Sequence, residues 1–139
     1  MTGPKFSSIL IVDQTMESKG ILANVALVVG LTIGRELPQD TFGADVTDGE
    51  GIHHRYLTRI GHVVRKAGQS KMRNLRKVFA QDPRVLILDY TEDAAPVDYD
   101  EYSRNLSKHS GAEIQYRALY VYGPEETVVP ITKNLSRLD

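Results

Sequence analysis

The chain has no cysteine. That removes a disulfide framework, a thiolate nucleophile and a Cys-ligated metal from consideration, and it fits a reducing, cytoplasmic setting. Net charge is also nearly missing: at −1 over 139 residues, no bulk field favours a nucleic acid or a membrane surface. No apolar run is long enough to cross a bilayer. The stretch from Ile21 to Ile33 is interrupted by Asn24 and Gly30 and falls short of the roughly 20 residues a spanning helix needs. The first residues, MTGPKFSS, lack a signal peptide's apolar region and small-residue cleavage site. Phosphate loops of the G-x-x-x-x-G-K-[ST] and G-x-G-x-x-G kinds are absent, as are the G-x-S-x-G elbow and the H-E-x-x-H zinc motif.

What remains is an ordinary globular composition, 41% hydrophobic and 25% charged. Residues 1–139 read as a single domain, long enough to bury roughly 68% of the unfolded surface. The organising stretch is residues 8–37. Residues 7–13 (SSILIVD) are a short run rich in branched side chains, expected as a strand buried on both faces. A polar turn follows, in which Thr15 or Ser18 is the helix cap. The helix then runs to about Arg35 and is apolar around most of its circumference, so it demands cover on more than one side. Gly30 and Gly34 share one face of it, as residues placed against a close neighbour do.

Further along, the pattern predicts a strand over residues 60–65 and an amphipathic helix over 69–81, whose apolar stripe is Met72, Leu75, Val78 and Phe79. Residues 84–90 form a second inner strand ending near Asp89, and residues 99–109 a short helix. Residues 114–122 form a strand with Tyr116, Ala118, Tyr120 and Tyr122 on one face, expected to pack in the core. The PEET segment starts a helical turn, and residues 128–135 close the fold partly as a strand, with Pro130 marking an edge. The β-α-β-α-β-α-β alternation predicts an α/β fold: a three-layer α/β/α sandwich with a mostly parallel sheet.

Charge is uneven along the chain. Residues 51–81 hold eight Lys or Arg, three His and no acid, whereas residues 82–101 hold one Arg against seven acids. Pairing between these segments is favoured over an RNA-binding face. The acids of residues 38–56 lack calcium-loop spacing, and His53 and His54, adjacent in a strand, point to opposite faces, so no metal site is expected. In parallel sheets, ligands sit beyond the strands' carboxyl ends. That places Asp13, Lys19 and Asp89 as candidate catalytic or polar-anchoring residues, with the cation able to lower a neighbouring carboxylate's pKa.

Two segments carry a family resemblance. Asp13-x-x-Met16, then Lys19-Gly20 and Ala23-Asn24-Val25-Ala26, resembles the opening of type II peptidyl-tRNA hydrolases. Leu119 to Glu126, with Val129 and Ile131 to Leu135, resembles their closing segment. The A-x-V-T-D-G-E-G loop (Ala44 to Gly51), the strand ending at Asp89-Tyr90 and the closing ITKNLSRL resemble a family of small bacterial domains of unknown function, number 2000, similar in fold to that hydrolase. The resemblance implies a homodimer, no cofactor, and a site that adds Met16, Gly20 and Asn24 to the three charged residues. This chain departs from the hydrolase pattern where chemistry would sit. Gly20 takes the place of the motif's second lysine, Asn24 that of a glutamine, and Leu27 that of the helix histidine, and leucine neither transfers a proton nor donates a hydrogen bond. The expectation is a domain that binds a small polar or nucleotide-like ligand. A hydrolase of peptidyl-tRNA or a related ester, with Lys19 facing the developing oxyanion, is one alternative. A structural dimerisation module is the other.

Overall fold

A computed structural model describes residues 5–94 and 98–138. Strand β1 (Phe6–Asp13) leads into helix α1 (Lys19–Glu36). A small hairpin of β2 (Val46–Thr47) and β3 (His53–His54) precedes β4 (Val63–Ala67), helix α2 (Gln69–Ala80) and β5 (Leu86–Thr91). Helix α3 (Tyr99–Ser107), β6 (Tyr116–Pro124), helix α4 (Glu125–Thr132) and β7 (Ser136–Arg137) complete the chain. The five longer-range strands form one sheet in the order β5-β6-β1-β4-β7.

β1 sits at the centre and is buried on both faces, as its branched run requires. Ile9 and Ile11 join Met72, Leu75 and Phe79 of α2 and Val128 of α4 on one face. Leu10 and Val12 join Val25, Val29 and Ile33 of α1 on the other. Each such side chain contributes about 1.5–3 kcal/mol of burial. The alternation along one strand therefore ties the helices on both faces to a single sheet. No helix of the described residues is long and apolar enough to cross a membrane.

The expectation of a mostly parallel sheet is corrected. Only β1 and β4 pair in parallel; β1–β6, β5–β6 and β4–β7 are antiparallel. The reason lies in α3. A parallel neighbour needs a helix that crosses the sheet and returns the chain to its starting edge. Helix α3 has no buried residue and packs against the turn Glu92–Ala94. The chain thus stays at the end where β5 finishes, and β6 must run back.

Three local expectations also shift. Strand β4 begins at Val63 rather than Ile60, and β5 continues past Asp89 to Thr91. Tyr116 leaves the face of Ala118, Tyr120 and Tyr122 and enters the α2 core. A register shift between Tyr90 and Thr91 causes this. The Gln69 side chain stabilises it, donating to the Tyr116 carbonyl and accepting from its N–H, both at 2.7 Å. Finally, the segment expected to close the fold as an edge strand is mainly α4, and only Ser136–Arg137 pairs with β4. Glu125 and Glu126 suit the helix's positive end. Gly123 permits the helix to dock there: a Cβ on it would lie 2.9 Å from Val85 Cγ2 and 3.1 Å from Val128 Cγ2.

Ser18 caps α1, accepting from the Ile21 N–H at 3.2 Å. The helix continues through Gly34 to Glu36. Among the described residues, α1 is covered on one side only: Leu27 remains 60% exposed and Leu31 71%.

Candidate functional site

The turn between β1 and α1 is built by Asp13. Its carboxylate accepts from the Thr15 N–H at 3.2 Å and the Thr15 hydroxyl at 2.8 Å, and its carbonyl accepts from the Met16 N–H at 3.0 Å. Met16 is half-buried against the α1 core. Lys19 and Gly20 open α1 and are exposed. Asn24, one turn on, accepts a long 3.4 Å hydrogen bond from the Tyr90 hydroxyl.

Asp89 has a different partner from the one expected. Because it lies within β5 opposite Leu119, whose side chain belongs to the α2 core, it faces α2. There it accepts from Arg76 Nε at 2.8 Å. Hydrogen bonding to Asp89 raises the Arg76 pKa, and burial opposes that rise. The pair joins the basic segment to the acidic one, as the uneven charge pattern predicts. The structure therefore brings Asn24 to Tyr90 and Arg76 to Asp89, and gives the Asp13 carboxylate to its own turn. It shows no hydrogen bond or ion pair linking Asp13, Lys19 and Asp89 to one another among the described residues.

Asp48 organises the acidic loop through hydrogen bonds. Its carboxylate accepts from the N–H groups of Glu50 and Ile52 and from His54 Nε2 at 2.9 Å. These bonds, His54's first, hold its pKa below the usual carboxylate value. His53 turns instead to Thr47 at 2.9 Å.

Two cavities flank α1. The first, of about 330 Å³, lies between α1, β5 and α3. Val28, Thr32 and Leu88 form its floor, Asp89 borders it with its carboxylate held by Arg76, and Tyr90, Tyr99 and Tyr102 supply aromatic and hydroxyl groups. The rings of Tyr99 and Tyr102 meet edge to face with centroids 5.5 Å apart. Burial, and then the Asp89 charge, pushes the Tyr102 hydroxyl's pKa up, so it stays protonated and able to donate. Among the described residues no Lys or Arg lines this cavity, and Arg76 is already paired with Asp89.

The second cavity, of about 230 Å³, lies on the other side of α1. Its walls are apolar except where Tyr120, His62 and Thr58 meet. Ser8 stands behind them, 3% exposed, with its hydroxyl 2.6 Å from the Tyr120 hydroxyl and 2.5 Å from His62 Nδ1. His62 Nε2 lies 2.9 Å from the Thr58 hydroxyl, which also donates to the Ile60 carbonyl at 3.3 Å. The sequence reading passed over Ser8 and His62. The signal was Ser8 itself, a hydroxyl inside an otherwise apolar buried strand, since a buried hydroxyl requires a partner.

The mixed sheet with helices on both faces, and the two cavities astride α1, define a compact α/β domain with small-molecule-sized pockets. By its sequence the chain belongs to the family described as protein of unknown function (DUF2000), which matches residues 8–138. A solved structure of a protein of unknown function from Agrobacterium tumefaciens strain C58 is similar to it in fold, with a TM-score of 0.80 at 16% identity over 96% of this chain and 98% of that one. A search of curated proteins finds no match.

Proposed function

We propose that this domain binds a small polar, ring-bearing ligand of nucleoside type in the cavity between α1, β5 and α3, and does not hydrolyse peptidyl-tRNA. The observation that carries this reading is the lining of that cavity, where Tyr90, Tyr99 and Tyr102 gather at a sheet edge. Tyrosine rings offer stacking surface to a planar base. The Tyr102 hydroxyl can donate to, and accept from, amino or hydroxyl groups of the ligand. Without a cation in the lining, the cavity suits an uncharged nucleoside better than a phosphorylated one. Of the residues picked from sequence, Asp89 lines the cavity and Asn24 holds Tyr90 on its wall. Asp13, Met16, Lys19 and Gly20 shape the turn that starts α1 and so set the helix that forms the floor.

Two observations speak against the hydrolase alternative. Leu27, in the place of the helix histidine, is an exposed apolar side chain, and Asp89 is engaged by Arg76. The three-layer arrangement similar to that of type II peptidyl-tRNA hydrolases is retained in this reading as a scaffold. So is a homodimer: Leu27 and Leu31, one turn apart and largely exposed, form an apolar stripe that a second copy of the chain would bury.

The test is calorimetric titration of the chain with adenosine, beside diacetyl-lysyl-tRNA cleavage assays of the wild type and Lys19→Ala. The expected result is saturable adenosine binding, weakened at least tenfold by Tyr102→Ala, with background cleavage by both proteins. Cleavage by the wild type that Lys19→Ala abolishes would replace this reading with the hydrolase.

A further inference from the structure

The second cavity has features that the first does not use. It is bounded by Leu10 and Val64 of the sheet and by Val29, Gly30, Ile33 and Gly34 of α1. A Cβ placed on Gly30 or Gly34 meets nothing within 4 Å. Both glycines lie inside the helix, where glycine is unfavourable relative to alanine. No contact among the described residues calls for them, and their effect is to leave the cavity open.

The polar end is built rather than incidental. One set of hydrogen-bond directions satisfies every group with a neutral imidazole. The Tyr120 hydroxyl donates to Ser8 Oγ, the Ser8 hydroxyl donates to His62 Nδ1, and His62 Nε2–H donates to Thr58, whose hydroxyl donates to the Ile60 carbonyl. This relay links the central strands to the loop before β4 and fixes Tyr120 and His62 at the cavity. Ser8 bonds both Tyr120 and His62 and does not line the space, so it positions the other two rather than acting as a nucleophile. Each hydroxyl keeps a free acceptor lone pair. In the reversed direction, with Nδ1 protonated, Ser8 donates to Tyr120 and the Tyr120 hydroxyl is freed to donate into the cavity. The end of the pocket thus presents either an acceptor or a donor to one oxygen-bearing group.

We propose that this second cavity binds a single-ring or short-chain apolar molecule whose one oxygen headgroup, a hydroxyl or a carboxylate, hydrogen-bonds to Tyr120 and His62. The volume sets the size. About 230 Å³ is below the range of roughly 300–1,000 Å³ for drug-sized ligands and above the roughly 150 Å³ that holds benzene. The wall sets the body of the ligand: seven of the lining residues are aliphatic, phenylalanine or alanine side chains. The relay sets the headgroup. This site is separate from the nucleoside cavity, which uses Val28 and Thr32 on another face of the same helix.

The experiment titrates the full chain with benzyl alcohol, benzoate and toluene, following backbone amide chemical shifts. Saturable binding of benzyl alcohol or benzoate is expected, with shifts at Gly30, His62 and Val64, and whichever binds tighter identifies the charge of the headgroup. Toluene should bind at least tenfold more weakly. A Cβ on Gly30 meets nothing within 4 Å, so Gly30→Leu should extend into the cavity and abolish binding. Tyr120→Phe keeps the ring, removes the hydroxyl, and should reduce benzyl alcohol affinity to that of toluene. Circular dichroism checks that each variant is folded, and Gly34→Leu is the second filling variant if Gly30→Leu is not. No saturable binding of any of the three probes would overturn the proposal. So would equal affinity for toluene and benzyl alcohol, or unchanged binding in a folded filling variant. Loss of self-association in Gly30→Leu with no probe binding to the wild type would assign the face to a second subunit instead.

Discussion

Replacing Gly30 with alanine should stabilise this domain, and the size of the effect follows from the structure. Gly30 is an interior position of the 18-residue helix α1, and a Cβ there meets no atom within 4 Å. Alanine is favoured over glycine in a helix interior by about 0.8–1.0 kcal/mol, chiefly because the unfolded chain loses freedom. With no clash to set against it, most of that gain should be realised. A domain of this size lies between the ranges in which 1 kcal/mol moves Tm by about 4–8 °C and about 2–4 °C, so a rise of roughly 3–5 °C is expected. Thermal unfolding followed by circular dichroism measures it. Urea unfolding should show a higher midpoint with an unchanged slope, the signature of a stability change without altered compactness. The competing idea is that Gly30 admits a tightly packed neighbour, which is the usual reason for glycines spaced by four on a helix. In that case the methyl group would collide, and Tm would fall, most steeply at low protein concentration if the neighbour is a second subunit. An unchanged or lower Tm would refute the statement that this face is open.

Other expectations follow from single residues. Met72→Ala, at a fully buried α2 position, should cost about 2–5 kcal/mol in urea unfolding. Thr91→Val should be neutral or stabilising by up to about 1 kcal/mol, because the Thr91 hydroxyl is buried with no hydrogen-bond partner among the described residues and its removal relieves a desolvated group. Leu31→Glu should abolish any concentration-dependent self-association seen by sedimentation while leaving the fold intact, because the residue is 71% exposed. Arg84 holds the Asp82 pKa below its usual value through a side-chain hydrogen bond. The folded pKa is depressed, so the pair's contribution is present above the unfolded value and is lost as pH falls through the folded one. Arg84→Ala should therefore move the Asp82 titration upward toward the ordinary carboxylate value, as NMR titration would show.

Much of the fold was legible because it rests on local patterns. The branched run of β1, the Met72–Leu75–Phe79 stripe of α2 and the Ser18 cap each specify an element through periodicity or capping chemistry. Strand direction was not legible, because it depends on where α3 goes. A nine-residue helix with no buried face reads locally much like a crossover helix, yet it leaves the chain at the same end of the sheet. Pro130 misled for a similar reason. It argues against a central strand, but it also sits within the short helix α4, where few backbone bonds depend on its missing N–H. Of the candidate site residues, Asp89 lies along the first cavity and pairs with Arg76, and Asn24 bonds Tyr90 beside it. The expected cluster of Asp13, Lys19 and Asp89 makes no mutual hydrogen bond or ion pair among the described residues, because the Asp13 carboxylate closes its own turn. The second cavity was hidden because its polar groups, Ser8, Thr58, His62 and Tyr120, come from distant parts of the chain and carry no spacing signal.

The central claim is that the tyrosine-lined cavity beside Asp89 is a ligand site. Titration of the isotopically labelled chain with adenosine, followed residue by residue in amide spectra, tests it most directly. The account predicts saturable shifts at Asn24, Asp89, Tyr90 and Tyr102, with Gly30 and His62 unmoved. Spectra unchanged at millimolar adenosine, or shifts confined to Gly30 and His62, would contradict it.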